Sequence, residues 1–295
     1  MVAQLFRKDA LKFLSELPSN SADLIISSPP YCMGKEYDTH CTIEDFIEIH
    51  EHMRDELVRV LKRGGSICWQ IGHHVSNNVV VPLDAVAYSV FSKSKKLKLR
   101  NRIIWTFGHG AHCRKRFSGR HESVLWFTKG SVYRFSLDAV RVPQKYPGKR
   151  HHKGPKQGEP SGNPLGKNPG DVWEIPNVKS NHVEKTAHPC QFPVTLAQRL
   201  VKALCPRGGL VVDPFLGSGS TAIAALLEGR RFMGCDIEPK YVRIAQSRID
   251  DFNAGLSKVR PLDRPIHVPR AGDGVAQIPE EWLSGRSRRI SVLAK

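Results

Sequence analysis

Paired cysteines are missing from this sequence. It has 7 cysteines in 295 residues, and none of them forms a Cys-x-x-Cys pair with another. An odd number of cysteines without paired spacing argues against a disulfide framework. It favours reduced thiols, as in a cytosol-like compartment.

Long apolar runs are also lacking. No segment approaches the roughly 18 apolar residues that a membrane span needs, and the opening residues, MVAQLFRKDALKFL, contain no long apolar stretch. We therefore expect neither a signal peptide nor a membrane partner.

Acidic residues are scarce relative to basic ones. The chain has 28 Asp and Glu against 45 Lys and Arg, so its formal net charge is +17 at pH 7. This excess indicates a polyanionic partner, most simply nucleic acid, although a basic surface that binds nothing is the alternative. Residues 93–120 contain ten Lys and Arg and no acid. We expect phosphate contacts from this region, from Arg114, Lys115, Arg116 and Arg120.

The sequence does contain an alternation of strand and helix patterns. Short apolar runs between turn signals predict strands at 23–27, 64–72, 99–108, 121–130, 208–215 and 230–237. Apolar spacings of three to four residues predict helices at 42–63, 193–206, 220–229 and 239–252. Together they predict an α/β fold with a doubly wound, mostly parallel sheet.

One long segment breaks the alternation. Residues 143–190 are rich in Pro, Gly, Lys and His, with almost no apolar periodicity. A loop of this length in a compact domain is usually functional or disordered. We expect its basic residues, including Lys149 and Arg150, to contact nucleic acid.

A glycine-rich turn follows the run VVDPF. Gly217, Gly219 and Ala222 satisfy the G-x-G-x-x-[GA] pattern, and Asp236 comes 19 residues after Gly217, where an acid can bind ribose hydroxyls. Asp213 ends the strand and would repel a pyrophosphate, but it would favour a ligand with an ammonium group and no phosphates. S-adenosyl-L-methionine fits this description; glycines that serve only packing are the alternative.

A second strand ends in an unusual turn, in DLIISSPPY (residues 23–31). Two prolines remove two N–H donors and leave carbonyl acceptors. The Ser28 hydroxyl, the Pro29 carbonyl and the Tyr31 ring together suit a planar heterocycle with an exocyclic amino group. That group would donate to Ser28 and to Pro29, while the ring stacks on Tyr31. A plain turn or a polyproline-type ligand is the alternative.

Both motifs, in this order, resemble the amino-methyltransferases of DNA in the permuted class called beta. These are the N4-cytosine and N6-adenine enzymes of bacterial restriction–modification systems. The resemblance covers residues 5–252 and includes DAL (9–11), SSPPY, HPCQFPVTLAQRLV (188–201), DPFLGSGST and GCDIEPKYVRIAQSRI. It implies a circularly permuted, Rossmann-like methyltransferase domain over residues 1–255. Residues 143–187 would be its target-recognition insertion, and residues 256–295 a basic C-terminal extension.

The resemblance also implies site residues and partners. The catalytic residues would be Ser28, Pro29, Pro30 and Tyr31. The residues that bind S-adenosyl-L-methionine would be Asp9, Ala10, Asp213, Pro214, Phe215, Gly217, Ser218, Gly219, Ser220, Thr221, Asp236 and Ile237. The partner would be double-stranded DNA, with a cognate restriction endonuclease and a second copy of the chain as further candidates. A cytoplasmic location, in a bacterium, an archaeon or a phage-infected cell, follows. No metal is expected, because HGAHC (109–113) has no second cluster at zinc spacing.

Two positions depart from the family pattern. Ser28 stands where adenine enzymes typically carry Asp and is typical of the N4-cytosine enzymes, so we expect a cytosine-N4-specific enzyme, with N6-adenine as the alternative. Cys190-Gln191-Phe192 stands where Thr-Gln-Lys is common, which puts one cofactor contact in doubt.

Other functional classes account for less of the sequence. A dinucleotide oxidoreductase leaves the Ser-Pro-Pro-Tyr turn unexplained, and a non-catalytic DNA-binding protein leaves the cofactor motif unexplained. Protein-glutamine and RNA methyltransferases usually carry Asn-Pro-Pro-Tyr after the cofactor motif, the opposite order. The His-Pro-Cys at 188–190 could be mistaken for the nucleophile of C5-cytosine enzymes, but in those the cofactor motif comes first.

Overall fold

The computed structural model describes residues 2–31, 42–76, 78–110, 112–179, 181–270 and 272–278. The strands are β1 (Ala3–Arg7), β2 (Ala22–Ser27), β3 (Leu61–Ile71), β4 (His74–Ser76), β5 (Val79–Val81), β6 (Leu97–Thr106), β7 (His121–Lys129), β8 (Val172–Glu174), β9 (Leu210–Asp213) and β10 (Arg231–Asp236). The α-helices are α1 (Ala10–Glu16), α2 (Ile43–Val60), α3 (Leu83–Phe91), α4 (Val194–Leu204), α5 (Ser220–Leu227) and α6 (Pro239–Asn253).

Eight strands form one mixed sheet in the order β1–β10–β9–β2–β3–β7–β6–β8. The first five strands in this order run parallel to one another. β7 is antiparallel to both β3 and β6, and β8 is again parallel to β6. The carboxyl ends of β2, β3, β9 and β10 therefore lie at one edge, together with the start of β7 and the end of β6. The predicted mostly parallel α/β sheet is confirmed.

The core has a helical layer on each face of this sheet. Along β2, Leu24 and Ile26 pack among residues of α4, α5 and α6. Ile25, between them, packs on the other face among residues of α1, α2 and α3. Alternate residues of a strand point to opposite faces, so an apolar run such as this one must be covered on both sides. This is the doubly wound arrangement that the sequence predicts.

Two helices, α1 and α2, begin at a residue whose side chain caps the first turn. At α2, the Thr42 hydroxyl accepts a hydrogen bond from the Asp45 N–H at 3.1 Å, and the Asp45 carboxylate accepts one from the Thr42 N–H at 2.7 Å. This reciprocal capping box satisfies two N–H groups that the first turn leaves unpaired, and such a cap is typically worth about 1 kcal/mol. The buried face of α2 then carries Phe46, Met53 and Leu57 onto the sheet.

Several elements were not predicted from the sequence. The sequence patterns predict neither β1 nor the helices α1 and α3. β8 lies inside the predicted irregular segment, where three residues pair with β6 at the sheet edge. The rest of that segment includes a projecting arm, residues 142–167. Its base is closed by two hydrogen bonds between Val142 and Lys167, at 2.8 and 3.0 Å.

The chain divides into two compact units, Met1–Leu262 and Asp263–Lys295. The first contains the whole sheet. In the second, the described residues include a short 3-10 helix, Gly274–Ala276, preceded by a turn in which the Arg270 N–H donates to Asp273 at 2.8 Å. Within the described part of the chain, no helix is long and apolar enough to cross a membrane.

Candidate active site

A first cavity opens at the carboxyl ends of β2, β9 and β10, between the turns that follow these strands. This is the edge at which open α/β sheets bind ligands. The sequence-predicted residues that line it are Asp9, Ala10, Ser28, Pro29, Pro30, Tyr31, Pro214, Phe215, Gly217, Ser218, Ser220, Asp236 and Ile237. Lining residues absent from that prediction are Lys8, His188, Cys190, Gln191, Phe192, Leu216, Glu238 and Tyr241.

The two glycines of the glycine-rich turn serve different purposes. Gly217 has a φ of +50°, and a Cβ there would lie 3.1 Å from the His188 Nε2 at the cavity wall. Gly219 has a φ of +76°, and a Cβ there would lie only 2.8 Å from the Ala245 Cβ on α6. Gly217 therefore shapes the cavity, whereas Gly219 lets α5 pack closely on α6 and does not line the cavity.

Asp236 holds the turn together from the end of β10. One carboxylate oxygen accepts a hydrogen bond from the Gly217 N–H and the other from the Glu238 N–H, both at 2.9 Å. Burial raises its pKa, while these two hydrogen bonds lower it. Glu238 brings a second carboxyl to the same wall of the cavity, and the sequence did not predict it there.

Asp213 lies beneath the cavity rather than on its surface. Its side chain is fully buried, and its Oδ1 accepts hydrogen bonds from the Ser27 hydroxyl at 2.5 Å and from the Phe215 N–H at 3.1 Å. The sequence predicted this carboxylate inside the binding crevice; the structure instead has it fixing the two turns that form the floor. Burial raises its pKa to about 6. Hydrogen bonding from Ser27, Thr221 and the Phe215 N–H lowers that pKa in part. Thr221 is likewise fully buried.

His188 faces the cavity as a neutral imidazole. Burial lowers its pKa to about 4, and nearby Lys185 and Lys240 act in the same direction. Its ring lies against Tyr241, with centroids 4.3 Å apart, and its Nδ1 accepts a hydrogen bond from the Cys190 N–H at 3.2 Å. The ring proton is therefore on Nε2, the nitrogen nearer Gly217.

Four side chains form a hydrogen-bonded series behind the Ser-Pro-Pro-Tyr turn. Ser28 and Tyr31 hydroxyls are 3.1 Å apart, and the Tyr31 hydroxyl donates to the Gln70 side-chain oxygen at 2.8 Å. The Gln70 amide in turn donates to the Glu122 carboxyl. Burial raises the pKa of Glu122 to about 7 and raises that of Tyr31 well above its usual value. The sequence predicted no role for Gln70 or Glu122.

A second cavity, of about 360 Å³, lies on the other side of this turn. Gln70, Trp105, Glu122 and Asn177 contribute to its wall, and it shares Ser28, Tyr31, Cys190, Gln191 and Phe192 with the first cavity. Its volume is within the usual range for a small-molecule site. Ser28 and Tyr31 therefore stand between two adjoining cavities and can contact a ligand in each.

A family model described as DNA methylase matches residues 22–247. The chain belongs to the DNA methylase family. The methylase is 44% identical over 243 residues to the type II methyltransferase M.BglII of Bacillus subtilis, a match that covers 82% of this chain and 67% of that one. It is 32% identical over 247 residues to the DNA adenine methyltransferase YhdJ of Escherichia coli, covering 82% and 81%.

Solved structures share the fold of the methylase. The PvuII DNA methyltransferase, which is cytosine-N4-specific, superposes with a TM-score of 0.68 over 83% of this chain and 86% of that one, at 20% identity. The Thermus thermophilus protein TTHA0409, complexed with S-adenosyl-L-methionine, superposes with a TM-score of 0.61 over 86% and 96%, at 26% identity. The methylase acts on DNA with S-adenosyl-L-methionine as its cofactor.

The first cavity of the methylase has groups that fit this cofactor. Asp236 and Glu238 offer carboxylate acceptors that could hold ribose hydroxyls, and the exposed Ile237 side chain (62%) offers an apolar surface for a flat ring. The buried Asp213 carboxylate adds negative potential beneath the floor, which suits a ligand that carries an ammonium and a sulfonium.

The basic stretch 93–120 of the methylase is divided by the fold. β6 runs toward the site, and at 3.3 Å per residue the strand is about 30 Å long. The basic residues near the start of β6 therefore lie far from the site; they are Lys93, Lys95, Lys96 and Lys98. Two other members of the stretch have structural partners: Arg102 pairs with Asp84 at 2.5 Å, and Arg100 donates to Thr128 at 2.9 Å. The predicted DNA contacts Arg114, Lys115, Arg116 and Arg120 lie on the tip loop (residues 107–120), which follows β6 at the site edge.

The other predicted DNA contacts, Lys149 and Arg150, are exposed on the arm. An isolated bridge between Arg150 and Pro160 and a 2.5 Å hydrogen bond from the Arg150 guanidinium to the Gly158 carbonyl give the arm internal structure. Its basic residues are therefore carried on an ordered projection. Their contact with DNA stays a prediction.

Proposed function

We propose that the methylase transfers the methyl group of S-adenosyl-L-methionine to the exocyclic N4 of cytosine in double-stranded DNA. We also propose that it does so as the modification enzyme of a restriction–modification system. The observation that carries the first proposal is a neutral hydroxyl, Ser28, between the two cavities, where adenine enzymes of the family typically carry a carboxylate. The second is supported by the 44% identity to the type II methyltransferase M.BglII.

The two cavities suit two ligands that meet at Ser28. In this proposal the first cavity holds the cofactor, which supplies an electrophilic methyl group when it is bound. The second cavity receives the target base, which has to leave the duplex to reach it. Tyr31, shared by both cavities, offers its ring for stacking against that base.

The direction of the hydrogen bonds makes Ser28 an acceptor. A tyrosine hydroxyl has a single proton, and that of Tyr31 goes to Gln70. The proton between the two hydroxyls therefore comes from Ser28, which leaves the Ser28 lone pairs available to the amino group of the base. Gln70 keeps this direction because its amide nitrogen is engaged with Glu122.

This acceptor addresses the chemical problem of the reaction. The lone pair of an aromatic amine is shared with the ring, so the amine is a poor nucleophile. Two hydrogen bonds from the amino group, to the Ser28 hydroxyl and to the Pro29 carbonyl, draw the nitrogen toward tetrahedral geometry. The lone pair then points toward the first cavity, and positioning of the two reactants can supply up to about 7–11 kcal/mol of barrier reduction.

The modified nucleoside tests the base assignment. DNA methylated by the purified protein is digested to nucleosides, and the products are identified by mass spectrometry. We expect N4-methylcytosine. N6-methyladenine as the only product would refute cytosine and support the second candidate, which the 32% identity to the adenine methyltransferase YhdJ favours.

The restriction–modification assignment needs a separate test. DNA modified by the methylase is offered to endonucleases encoded beside its gene. Protection of the modified DNA from one of them supports the assignment, and cleavage of modified and unmodified DNA alike contradicts it.

A further inference from the structure

Phe117 has an unusual position for a large apolar side chain. It is 99% exposed, the highest value among the large hydrophobic residues that the structure describes as exposed; the next is Val132 at 89%. Single exposed apolar residues are common, so exposure alone carries no conclusion. The surroundings of Phe117 do, however, indicate a partner.

The tip loop holds Phe117 at the rim of the second cavity. The Phe107 N–H donates to the Arg120 carbonyl at 3.0 Å, which closes the base of the loop. The Cys113 N–H donates to the Ser118 hydroxyl at 3.0 Å, which closes its tip. Arg116 and Gly119, on either side of Phe117 in the chain, line the second cavity. The ring therefore projects into solvent from a braced loop directly beside that cavity.

The charges around the ring select the kind of partner. Arg114, Lys115, Arg116 and Arg120 lie within three residues of Phe117, and the loop has no acidic residue. Four cations around one apolar ring are a poor fit for an apolar protein surface. They suit a partner that presents phosphates on both sides of a narrow apolar gap, as a DNA duplex does once a base has left its stack.

We propose that Phe117 enters the duplex in the gap that the extruded target base leaves, and that it stacks on the neighbouring base pairs. This rests on the proposed function, in which the second cavity receives that base. Arg114 and Lys115 bind the flanking phosphates, so the loop places the wedge and the cavity on the same nucleotide. The ring holds the base out of the helix and takes no part in methyl transfer itself.

The test compares two substrates for each protein. One is a duplex that contains the methylation site, mapped by sequencing DNA modified by the wild-type protein. The other has the same sequence with an abasic position opposite the target base, so that the base is already unpaired. We expect Phe117→Ala to lower kcat/KM on the paired duplex by at least about tenfold, the equivalent of removing one stacked ring. On the abasic duplex, it should stay within about threefold of wild type, because little pairing is left to break.

Three controls separate this role from others. Phe117→Trp keeps a stacking ring and should retain most of the activity on the paired duplex. Val132→Ala removes a comparably exposed side chain beyond the end of β7, away from the site. It should leave kcat/KM unchanged on both duplexes. The salt dependence of DNA binding should be the same for Phe117→Ala as for wild type, because every cation that binds a phosphate is still present.

The outcomes are distinct. If Phe117→Ala lowers kcat/KM equally on both duplexes, Phe117 serves general DNA binding or loop structure, and the proposal is overturned. Wild-type kcat/KM of this variant on both duplexes would also overturn it. If the methylated base is adenine, the base in the proposed function is wrong, and a loss confined to the paired duplex still supports the wedge. If the mapping step finds no modified base in DNA treated with the wild-type protein, the proposed function is overturned, and the wedge with it, before either duplex is made.

Discussion

The orientation of one hydroxyl in this enzyme depends on a side chain that lies three hydrogen bonds away. Gln70 donates to Glu122 and Tyr31 donates to Gln70, so the proton between the Ser28 and Tyr31 hydroxyls, which are 3.1 Å apart, is assigned to Ser28. A serine in water rotates freely between donor and acceptor roles. In the proposed reaction its lone pairs are held toward the base before the base arrives, which lowers the cost of organising the site.

Ser28→Ala should therefore reduce the rate of methyl transfer without affecting the cofactor. Removal of one preorganised hydrogen bond at a reacting atom typically costs on the order of 100-fold in rate, and we expect a decrease of that size in single-turnover kinetics. The dissociation constant for S-adenosyl-L-methionine, measured by calorimetry, should stay within about twofold. A variant that methylates DNA at the wild-type rate would remove Ser28 from the reaction.

Glu122 should make the stability of the protein depend on pH. Burial raises its pKa to about 7 in the folded protein, from an ordinary value of 4.5. Between these values the folded state binds more protons than the unfolded state, so the free energy of unfolding falls as the pH rises. In Glu122→Gln this contribution is absent. The stability of the variant relative to wild type should increase by about 1–3 kcal/mol between pH 5 and pH 8, at 1.4 kcal/mol per pKa unit.

Urea unfolding of the protein without cofactor, at several pH values, measures this difference. The comparison between variant and wild type cancels the other titrating groups, including Asp213, whose pKa is also raised, to about 6. It also cancels His50, whose pKa burial lowers to about 4 and which acts in the opposite direction. Parallel pH curves for the two proteins would mean that Glu122 is ionised at little cost in the folded state.

At the scale of elements, the arm is built as a separable piece. Its ends, Val142 and Lys167, exchange two backbone hydrogen bonds, so a short turn can join them when the rest is removed. Replacing residues 143–166 by Asn-Gly should leave cofactor affinity and thermal stability nearly unchanged, because two-residue turns suit such a closed pair. Site-specific methylation should disappear if the arm recognises the target sequence.

Plasmid DNA methylated by this shortened protein, sequenced for modified bases, measures the change. The intact protein processed in parallel is its control. Methylation of the original sites at the original rate would place recognition elsewhere, for example on the tip loop. A shortened protein that no longer binds the cofactor would show that the arm also supports the fold.

The sequence predicted the elements that carry regular patterns and the residues close to recognisable turns. An acid after the next strand is a local signal, so Asp236 was identified beside the Gly217 turn, and both line the first cavity. The 2.9 Å hydrogen bond from the Gly217 N–H to Asp236 was not predicted, and the contact of Asp236 with ribose stays a prediction. Gln70 and Glu122 were missed because 52 residues separate them, and only the antiparallel pairing of β3 with β7 brings them together. No local pattern encodes that pairing. The hydrogen bond between Ser27 and Asp213 spans 186 residues and was missed for the same reason.

At the scale of the whole molecule, the net charge of +17 combines cations beside the site with cations far from it. The lysines at 93, 95, 96 and 98 lie near the start of β6, whereas Arg114 and Lys115 follow its end beside the second cavity. If phosphate contacts come from the site edge, only the second group releases counterions when DNA binds.

Two sets of substitutions of equal charge test this division. Arg114→Gln with Lys115→Gln should make the plot of log K against log salt shallower. The magnitude of its slope should fall by nearly two, because each phosphate that is no longer neutralised removes about 0.9 from it. Lys95→Gln with Lys96→Gln removes the same charge at the opposite edge and should leave the slope unchanged. Fluorescence anisotropy with labelled duplex between about 50 and 200 mM salt gives both values. Equal changes in the two variants would indicate long-range attraction rather than direct binding.

The order of the strands also bears on how this protein is made in the cell. β1 pairs with β10, where Ala3 lies opposite Phe232, and β2 pairs with β9, where Leu24 lies opposite Val211. At about 5–20 residues per second, β10 leaves the ribosome roughly 10–45 s after β1. During that interval the apolar edge of β2, with the reactive turn at its end, waits for a neighbour that has not yet been translated. Premature termination before β9 and β10 are translated should therefore yield aggregating fragments rather than a weakened enzyme, which makes chaperone supply during translation a determinant of yield.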